Sequence, residues 1–537
     1  MNTILTTLDA ARLALHYQQG HWCNETLYMQ LKQHAQLRPD AFAVRDRTQR
    51  LTYAELLRRV DAQAANLAAR GVQPGQRVAV WLPSRAEVAI LLLACSRNAY
   101  VCCPSLHRDH TASDVAELLT RISGQALFAQ SNYGADPRQD IFTHPAAPPL
   151  IVRLEPGIAL HSDAIPNLPA SADPNRVIYL AFTSGTTGAP KGVMHSDNTL
   201  LASVRTVAAD WSLGADTVIY SLSPLSHNLG LGALILAIAI GGELVVHDLP
   251  RSASLLDRLI ETGATYLVGV PTHAIDLLRE LRERNLAQFG AIKGFRISGA
   301  AASAEIIAQL ASYGVAVQSG YGMTETCSHQ YTHPTDDPAL IATTSGRACA
   351  GYEIKIWRQD NPDIEAPIGT IGQIGGRGAS LMLGYFADQA ATEAAFNAHG
   401  WFMTGDLGWV DEQGYLRISG RQKDLIIRGG HNIFPGRIET LATRHPAVEK
   451  AAAIAVPDER LGEKLCLAIV ARHPITAAEL LAHLDQAGLS KYDMPEYFLQ
   501  LPEMPLTASG KILKRELVNL VAQGKLAPLP IRFEATN

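Results

Sequence analysis

Residues 177–182, Val-Ile-Tyr-Leu-Ala-Phe, form an unbroken apolar run that gives way at once to Thr183-Ser184-Gly185-Thr186-Thr187-Gly188-Ala189-Pro190-Lys191. A buried strand that delivers the chain into a loop of hydroxyls and glycines constrains the fold, because such loops sit at the ends of sheet strands. Gly185 and Gly188 permit backbone geometries closed to other residues, so consecutive N–H groups can converge on an anion. Thr183, Ser184, Thr186 and Thr187 offer hydroxyls to phosphate oxygens, and Lys191 adds a positive charge that can follow a polyphosphate. The G-x-x-x-x-G-K-[ST] loop is excluded, since this lysine follows proline and precedes Gly192. A generic Ser/Thr/Gly cluster is only a solvated loop.

At 537 residues the chain is too long for one ordinary core, so a large domain with a smaller one is expected. A net charge of -5 gives no reason to expect nucleic acid or an anionic membrane as partner. The opening Met1-Asn2-Thr3-Ile4-Leu5 lacks the basic stretch and long apolar core of a secretory signal. The longest strongly apolar run, residues 229–240, is interrupted by Gly230 and Gly232 and falls short of the roughly 20 residues of a membrane span, so it reads as a buried helix. Seven cysteines, at 23, 95, 102, 103, 327, 349 and 466, are odd in number and lack C-x-x-C spacing. That argues against a disulfide framework and a zinc site, and a reducing cytoplasm is the expected location.

Strand and helix patterns alternate through most of the chain: strands at 77–82, 217–220, 265–270 and 294–298, and a helix at 86–95. Such alternation predicts α/β layering with largely parallel sheets. From about residue 350, short strands with glycine turns at 352–357, 372–374 and 414–418 predict a smaller β-rich unit. The charged patch Arg421-Gln422-Lys423-Asp424 separates it from a final stretch with a helix at 438–444, a strand at 451–456 and a helix at 477–487. That stretch is long enough to be a domain.

The whole string 183–191 resembles the signature of the adenylate-forming (ANL) superfamily, which comprises acyl-CoA synthetases, peptide-synthetase adenylation domains and luciferases. The resemblance covers nearly the entire chain in its expected order. It implies an α/β N-terminal domain of layered sheets and helices over residues 1–420, with a β-rich subdomain at about 345–420. A hinge at 421–424 would join it to a small, mobile α+β C-terminal domain at 425–537, with the active site between the two. Two half-reactions follow from the resemblance. A carboxylate attacks the α-phosphorus of ATP, giving acyl-adenylate and pyrophosphate; a thiol then attacks the acyl carbon and AMP leaves. ATP, Mg²⁺ and coenzyme A are the implied cofactors and co-substrate.

Such an attack needs charge neutralisation on the phosphates, a fixed ribose and a cation near the bridging oxygen. By resemblance, Tyr321 and Gly322 lie with Gly299, Ala300 and Ala301 at the nucleotide, Thr324 bonds the α-phosphate and Glu325 holds Mg²⁺. One carboxylate suffices, because Mg²⁺ shares its shell with phosphate oxygens. Asp406, expected in a tight turn, accepts the ribose hydroxyls, and Arg421 is the second ribose contact. Lys423 corresponds to the hinge, whose torsions absorb the reorientation of the small domain. Lys511, in Pro505-Leu506-Thr507-Ala508-Ser509-Gly510-Lys511, corresponds to the lysine that bridges carboxylate and α-phosphate. The implied catalytic set is Lys511, Glu325, Thr324 and Lys191. The same motif is similar to the Pro-x-x-x-x-Gly-Lys pattern of acetylated acyl-CoA synthetases, so a lysine acetyltransferase and deacetylase acting on Lys511 are expected partners. Gly429, Gly430 and His431 correspond to the CoA channel, although a glycine pair before a strand also reads as a bulge.

Ser226-His227-Asn228-Leu229 corresponds to the border of the acyl pocket, where His227 gates entry and the Asn228 amide binds the substrate carboxylate. Ala233, Ser298, Gly299 to Ala301, Ser319, Gly320 and Cys327 are the other expected walls. They are small or apolar and carry no charge, so a second charged group on the acid would lack a partner. Ala233 stands where a hydroxyl residue would suit a phenolic acid. The pattern resembles bacterial cyclohexanecarboxylate–CoA ligases, implying a small cyclic acid such as cyclohexanecarboxylate or benzoate. The alternatives are an aryl-acid adenylating enzyme loading a carrier protein and a medium-chain fatty acid–CoA ligase. A monomer or homodimer is expected.

Overall fold

The computed structural model describes residues 10–533 apart from 137–138, 158–159, 161–167, 184–189, 251, 300–301, 430 and 507–510. The chain divides into two compact units, Met1–Ile354 with Gly376–Phe402 and Lys355–Gly375 with Met403–Asn537.

Two sheets organise the first unit. In the nine-stranded sheet, Phe42–Arg45, Glu243–Val246, Val218–Ser221, Tyr266–Gly269, Gly294–Ser298 and Ala316–Met323 run parallel in that spatial order. Antiparallel strands close both edges. Their near-continuous apolar sequences fit a parallel sheet covered on both faces. The six-stranded sheet has the order Leu150–Arg153, Gly124–Ala129, Arg77–Trp81, Val101–Cys103, Val177–Thr183, Lys191–Ser196, with only the last pair antiparallel. The hydroxyl-rich loop therefore joins two antiparallel neighbours, with Thr183 paired to Lys191. That separates it structurally from the strand-to-helix phosphate loop.

The apolar run at 229–240 is the buried helix Asn228–Ile240, ended by Gly241 at φ +70°. It packs deeply because Gly230 has no side chain: a Cβ there would lie 2.2 Å from the Pro224 carbonyl oxygen. No described helix is long and apolar enough to cross a membrane. All seven cysteines are free thiols, six of them buried.

The second unit contains most of a four-stranded sheet, Tyr352–Trp357, Gly372–Gly378, Phe402–Val410 and Leu416–Arg421. It also contains a sheet built on the hairpin of Val448–Asp458 and Gly462–Ala471. The helices Pro435–Ala442 and Ala477–Gln486 contribute to the core that covers this hairpin. Thr404-Gly405-Asp406 is not a tight turn: it lies inside the strand Phe402–Val410, in register with Leu416–Arg421. Gly405 takes φ +75°, and pairing with the strand Leu416–Arg421 begins immediately after it, at Asp406 opposite Arg421.

Candidate active site

The sequence Tyr321-Gly322-Met323-Thr324-Glu325 continues the strand Ala316–Met323 into a reversal and returns as Cys327–Tyr331. The turn is tight enough that a Cβ on Gly322 would sit 1.9 Å from the Cys327 carbonyl oxygen. Cys327 takes φ +55°, a conformation rare outside glycine. The backbone is thereby committed to presenting Thr324 and Glu325. Gly322→Ala is expected to destabilise the protein by more than about 3 kcal/mol, since the obstacle is backbone. Gly232→Ala, in a helix with no atom within 4 Å of the new Cβ, is expected to be neutral or stabilising. Urea midpoints check both; equal midpoints for the two variants would contradict the packing described.

Two side chains hold this turn from behind. His195, fully buried, donates from Nε2 to the Thr324 carbonyl at 2.7 Å, with Thr199 Oγ1 3.1 Å from Nδ1. Burial holds its pKa down at about 4, so the imidazole stays neutral. Tyr385 donates its hydroxyl to Glu325 Oε1 at 3.0 Å. Burial first, and then the Glu325 charge, raise the Tyr385 pKa, so it remains a donor. Lys191 places its ammonium 4.6 Å from the centroid of the same tyrosine ring. Tyr385 reaches this position because Leu383 and Phe386 pair their backbones with Met194 and Gly192 beside the Lys191–Ser196 strand. Lys191, Tyr385 and Glu325 thus form one chain of contacts, and Tyr385 is absent from the sequence-based set. Its only local signal is Gly384 before it, at φ +124°.

Tyr321 is buried and edge-on to His329, with ring centroids 5.4 Å apart. Gly299 has φ +86° at the end of the strand Gly294–Ser298. Ser184, Gly185, Thr186, Thr187, Gly188, Ala300, Ala301 and Gly430 lie outside the described residues.

In the second unit, Asp406 and Arg421 are directly paired across two strands, with Arg421 Nε 3.2 Å from Asp406 Oδ1. Lys511 stands at the foot of a loop closed by a Leu506–Ile512 bridge and a Leu513 N–H to Pro505 carbonyl bond. Lys511 is an exposed residue whose ammonium is partly desolvated; that desolvation, and then the Arg421 charge, lower its pKa, and Asp406 opposes them. Asp406, Arg421 and Lys511 therefore form one electrostatic group. Lys423 sits in the short 3-10 turn Gln422–Asp424 directly after Arg421. Gly429 takes φ +57° and donates its N–H to the Leu461 carbonyl, and His431 Nε2 lies 2.8 Å from Asp493 Oδ1.

A cavity in the first unit runs between the helices Asp197–Asp210 and Asn228–Ile240 and the sheet. Asn228, Leu229, Ala233 and Cys327 line it, with Leu200, Val204 and Val207 opposite. His227, Ser298, Gly299, Ser319 and Gly320 do not. His227 instead stacks on His107 at 4.1 Å, Ser298 donates to the Gly320 carbonyl, and Ser319 donates to the Thr344 carbonyl. One expectation is corrected outright: the wall is not free of charge, because Arg296 lines it. No local signal singles out Arg296 as a wall: Ser298, two residues on and on the same face by strand alternation, does not line the cavity.

A strand-bordered hydroxyl loop, a carboxylate on a braced turn, and a separate Asp–Arg–Lys group define a protein that adenylates carboxylic acids. The chain belongs to the AMP-binding enzyme family: that family's profile matches residues 31–386, and the AMP-binding enzyme C-terminal domain matches residues 437–511. It is an AMP-forming acid–thiol ligase of the acyl-CoA synthetase kind. It is 30% identical to the medium-chain fatty-acid–CoA ligase of Escherichia coli, over 95% of this chain and 93% of that protein. It is 32% identical to the 3-[(3aS,4S,7aS)-7a-methyl-1,5-dioxo-octahydro-1H-inden-4-yl]propanoyl:CoA ligase of Mycobacterium tuberculosis, over 90% of this chain and 96% of that one. Among solved structures, o-succinylbenzoate coenzyme A synthetase from Bacillus subtilis, in complex with ATP and magnesium ion, superposes with a TM-score of 0.80. The two are 27% identical, over 92% of this chain and 99% of that one. ATP and Mg²⁺ fit this family.

Proposed function

We propose that this enzyme joins a small cyclic carboxylic acid, of the size of cyclohexanecarboxylate or benzoate, to coenzyme A. The observation that carries the reading is the cavity: apolar side chains from two helices face each other across it, and the Asn228 amide lies in its wall. A narrow apolar slot selects by shape, which supports a compact ring acid that loses little conformational freedom on binding.

In the first half-reaction the substrate carboxylate, oriented by Asn228, attacks the α-phosphorus of ATP and the bond to pyrophosphate breaks. Thr324 and Lys191 take the phosphate oxygens, and Asp406 and Arg421 take the ribose. Lys511 is carried to the carboxylate and α-phosphate as negative charge redistributes there. Among the described residues no group of three His, Cys, Asp or Glu could hold a metal. Glu325, held by Tyr385, is the residue that would hold Mg²⁺, which would supply neutralising charge at the phosphates. In the second half-reaction the small domain, residues 425–537, turns about the 421–424 hinge at Lys423, withdrawing Lys511. Gly429, Gly430 and His431 then line the path of the CoA thiol, which attacks the acyl carbon and releases AMP and a proton. Acetylation of Lys511 would remove its charge and stop the first step.

The test is AMP and thioester production with ATP, Mg²⁺ and free CoA across ring acids and C4 to C10 fatty acids. Ring acids are expected to exceed straight chains in kcat/KM by at least about tenfold. Pyrophosphate release without acyl-CoA would transfer the second step to a carrier protein, and a preference for straight chains would overturn the ring assignment.

A further inference from the structure

Four arginines of the described chain are almost wholly buried: Arg85, Arg97, Arg258 and Arg296. Three are neutralised by carboxylates at close range: Arg85 to Glu87 at 2.6 Å, Arg97 to Asp61 at 2.7 Å, and Arg258 to Glu261 at 3.0 Å. Arg296, the most buried at 5% exposure, has no ion pair among the described residues. Its Nη1 donates to Gln318 Oε1 at 2.8 Å, an oxygen that also accepts from the Tyr266 hydroxyl at 2.9 Å. Its Nη2 is buried and has no hydrogen-bond partner among the described residues. The nearby Tyr331 ring, 5.7 Å from the guanidinium, directs its own hydroxyl to Asp210 at 2.7 Å.

An unpaired guanidinium in the interior costs several kcal/mol unless something answers it. Two features indicate what does. Arg296 lines the same cavity as Asn228. Gly320 stands on the neighbouring strand, where a Cβ would come 3.3 Å from Nη2, so the absence of a side chain there relieves crowding at that atom. An unpartnered guanidinium nitrogen at the wall of an apolar cavity suits a planar anionic oxygen pair.

We propose that the substrate is a ring acid bearing a second anionic group, a carboxylate or sulfonate, which pairs with Arg296 while the first carboxylate is activated. This rests on the acid–CoA ligase reading above and narrows its substrate class. Only one carboxylate forms the mixed anhydride with AMP and then the thioester. The second keeps its charge throughout, so the product is a half-thioester.

Matched pairs test it: cyclohexanecarboxylate against cyclohexane-1,3- and 1,4-dicarboxylate, and benzoate against benzene-1,3- and 1,4-dicarboxylate and 4-sulfobenzoate. The wild type is expected to favour the doubly charged member by about 100-fold or more in kcat/KM, chiefly through KM. Arg296→Leu should reverse that order, and Arg296→Lys should restore part of it. Because Leu removes an unanswered buried charge, the variant should melt at the same temperature as the wild type or higher. A merely structural Arg296, needed to hold Gln318, would instead lower the melting temperature. Preference for the singly charged acid in both proteins overturns the proposal while leaving the ligase reading intact. Should no acid yield AMP, the ligase reading falls. The proposal is then decided by whether the diacids raise the melting temperature of the wild type but not of Arg296→Leu. Response to 4-sulfobenzoate alone would assign the second group as sulfonate.

Discussion

Lys511→Ala is expected to lower acyl-adenylate formation by about 10²- to 10³-fold, the cost of removing one preorganised charge from a reacting phosphate. The same variant should convert supplied acyl-adenylate and CoA to thioester within about threefold of the wild-type rate, because in the proposed mechanism Lys511 is withdrawn before that step. The asymmetry follows from where Lys511 stands. It lies at the foot of a loop closed by the Leu506–Ile512 bridge, in the electrostatic group of Asp406 and Arg421. Neutralising it by acetylation should reproduce the alanine variant, and Lys511→Arg should retain more adenylation than either. Pyrophosphate release and single-turnover thioester formation separate the two steps; equal loss in both would show that Lys511 is needed for folding or for nucleotide binding in general.

Acid should unfold this protein well before its carboxylates are protonated. Burial lowers the pKa of His107 and His329 to about 3 and of His195 and His273 to about 4, against 6.5 for the free side chain. Between those values the unfolded chain binds protons that the folded chain refuses, so stability rises with pH across the interval. The stability associated with these four groups is fully present above about pH 6.5 and is lost as pH falls toward 4. Each contributes a slope approaching about 1.4 kcal/mol per pH unit once the unfolded form is protonated. Asp197, whose carboxyl burial pushes up to about 6, and Asp248, also raised by burial, work the other way, but they are two groups against four. Urea midpoints at pH 7.5, 6 and 5 should therefore fall steeply and progressively. A flat profile over that range would mean that these imidazoles are solvated in the native protein.

Much of the architecture was legible because it is written locally. The run 177–182 reads as a strand from its apolar continuity, and 229–240 reads as a buried helix from its length and glycine interruptions. The walls Asn228, Leu229 and Ala233 are near one another in one recognisable string, and Cys327 closely follows a second, Tyr321 to Glu325. Thr404-Gly405-Asp406 failed locally because glycine and aspartate signal a turn, while pairing to a strand a dozen residues later overrides that preference. Tyr385 was invisible for a related reason. Nothing in Gly-Tyr-Phe announces chemistry, and the tyrosine gains its place only when residues 383–386 pair with the strand Lys191–Ser196.

The amino-acid sequence by itself determined the order of strands and helices, the hydroxyl loop and the lysine motifs, since propensity, periodicity and short motifs are properties of neighbours in the chain. The tertiary structure alone decided that Tyr385 answers Glu325, that His195 braces Thr324, and that Arg296 stands buried without a counter-charge. Charge pairing and burial are summed over residues far apart in sequence, so a guanidinium that reads as an ordinary strand residue becomes, once the sheet is formed, a buried charge with an unpartnered Nη2 among the described residues.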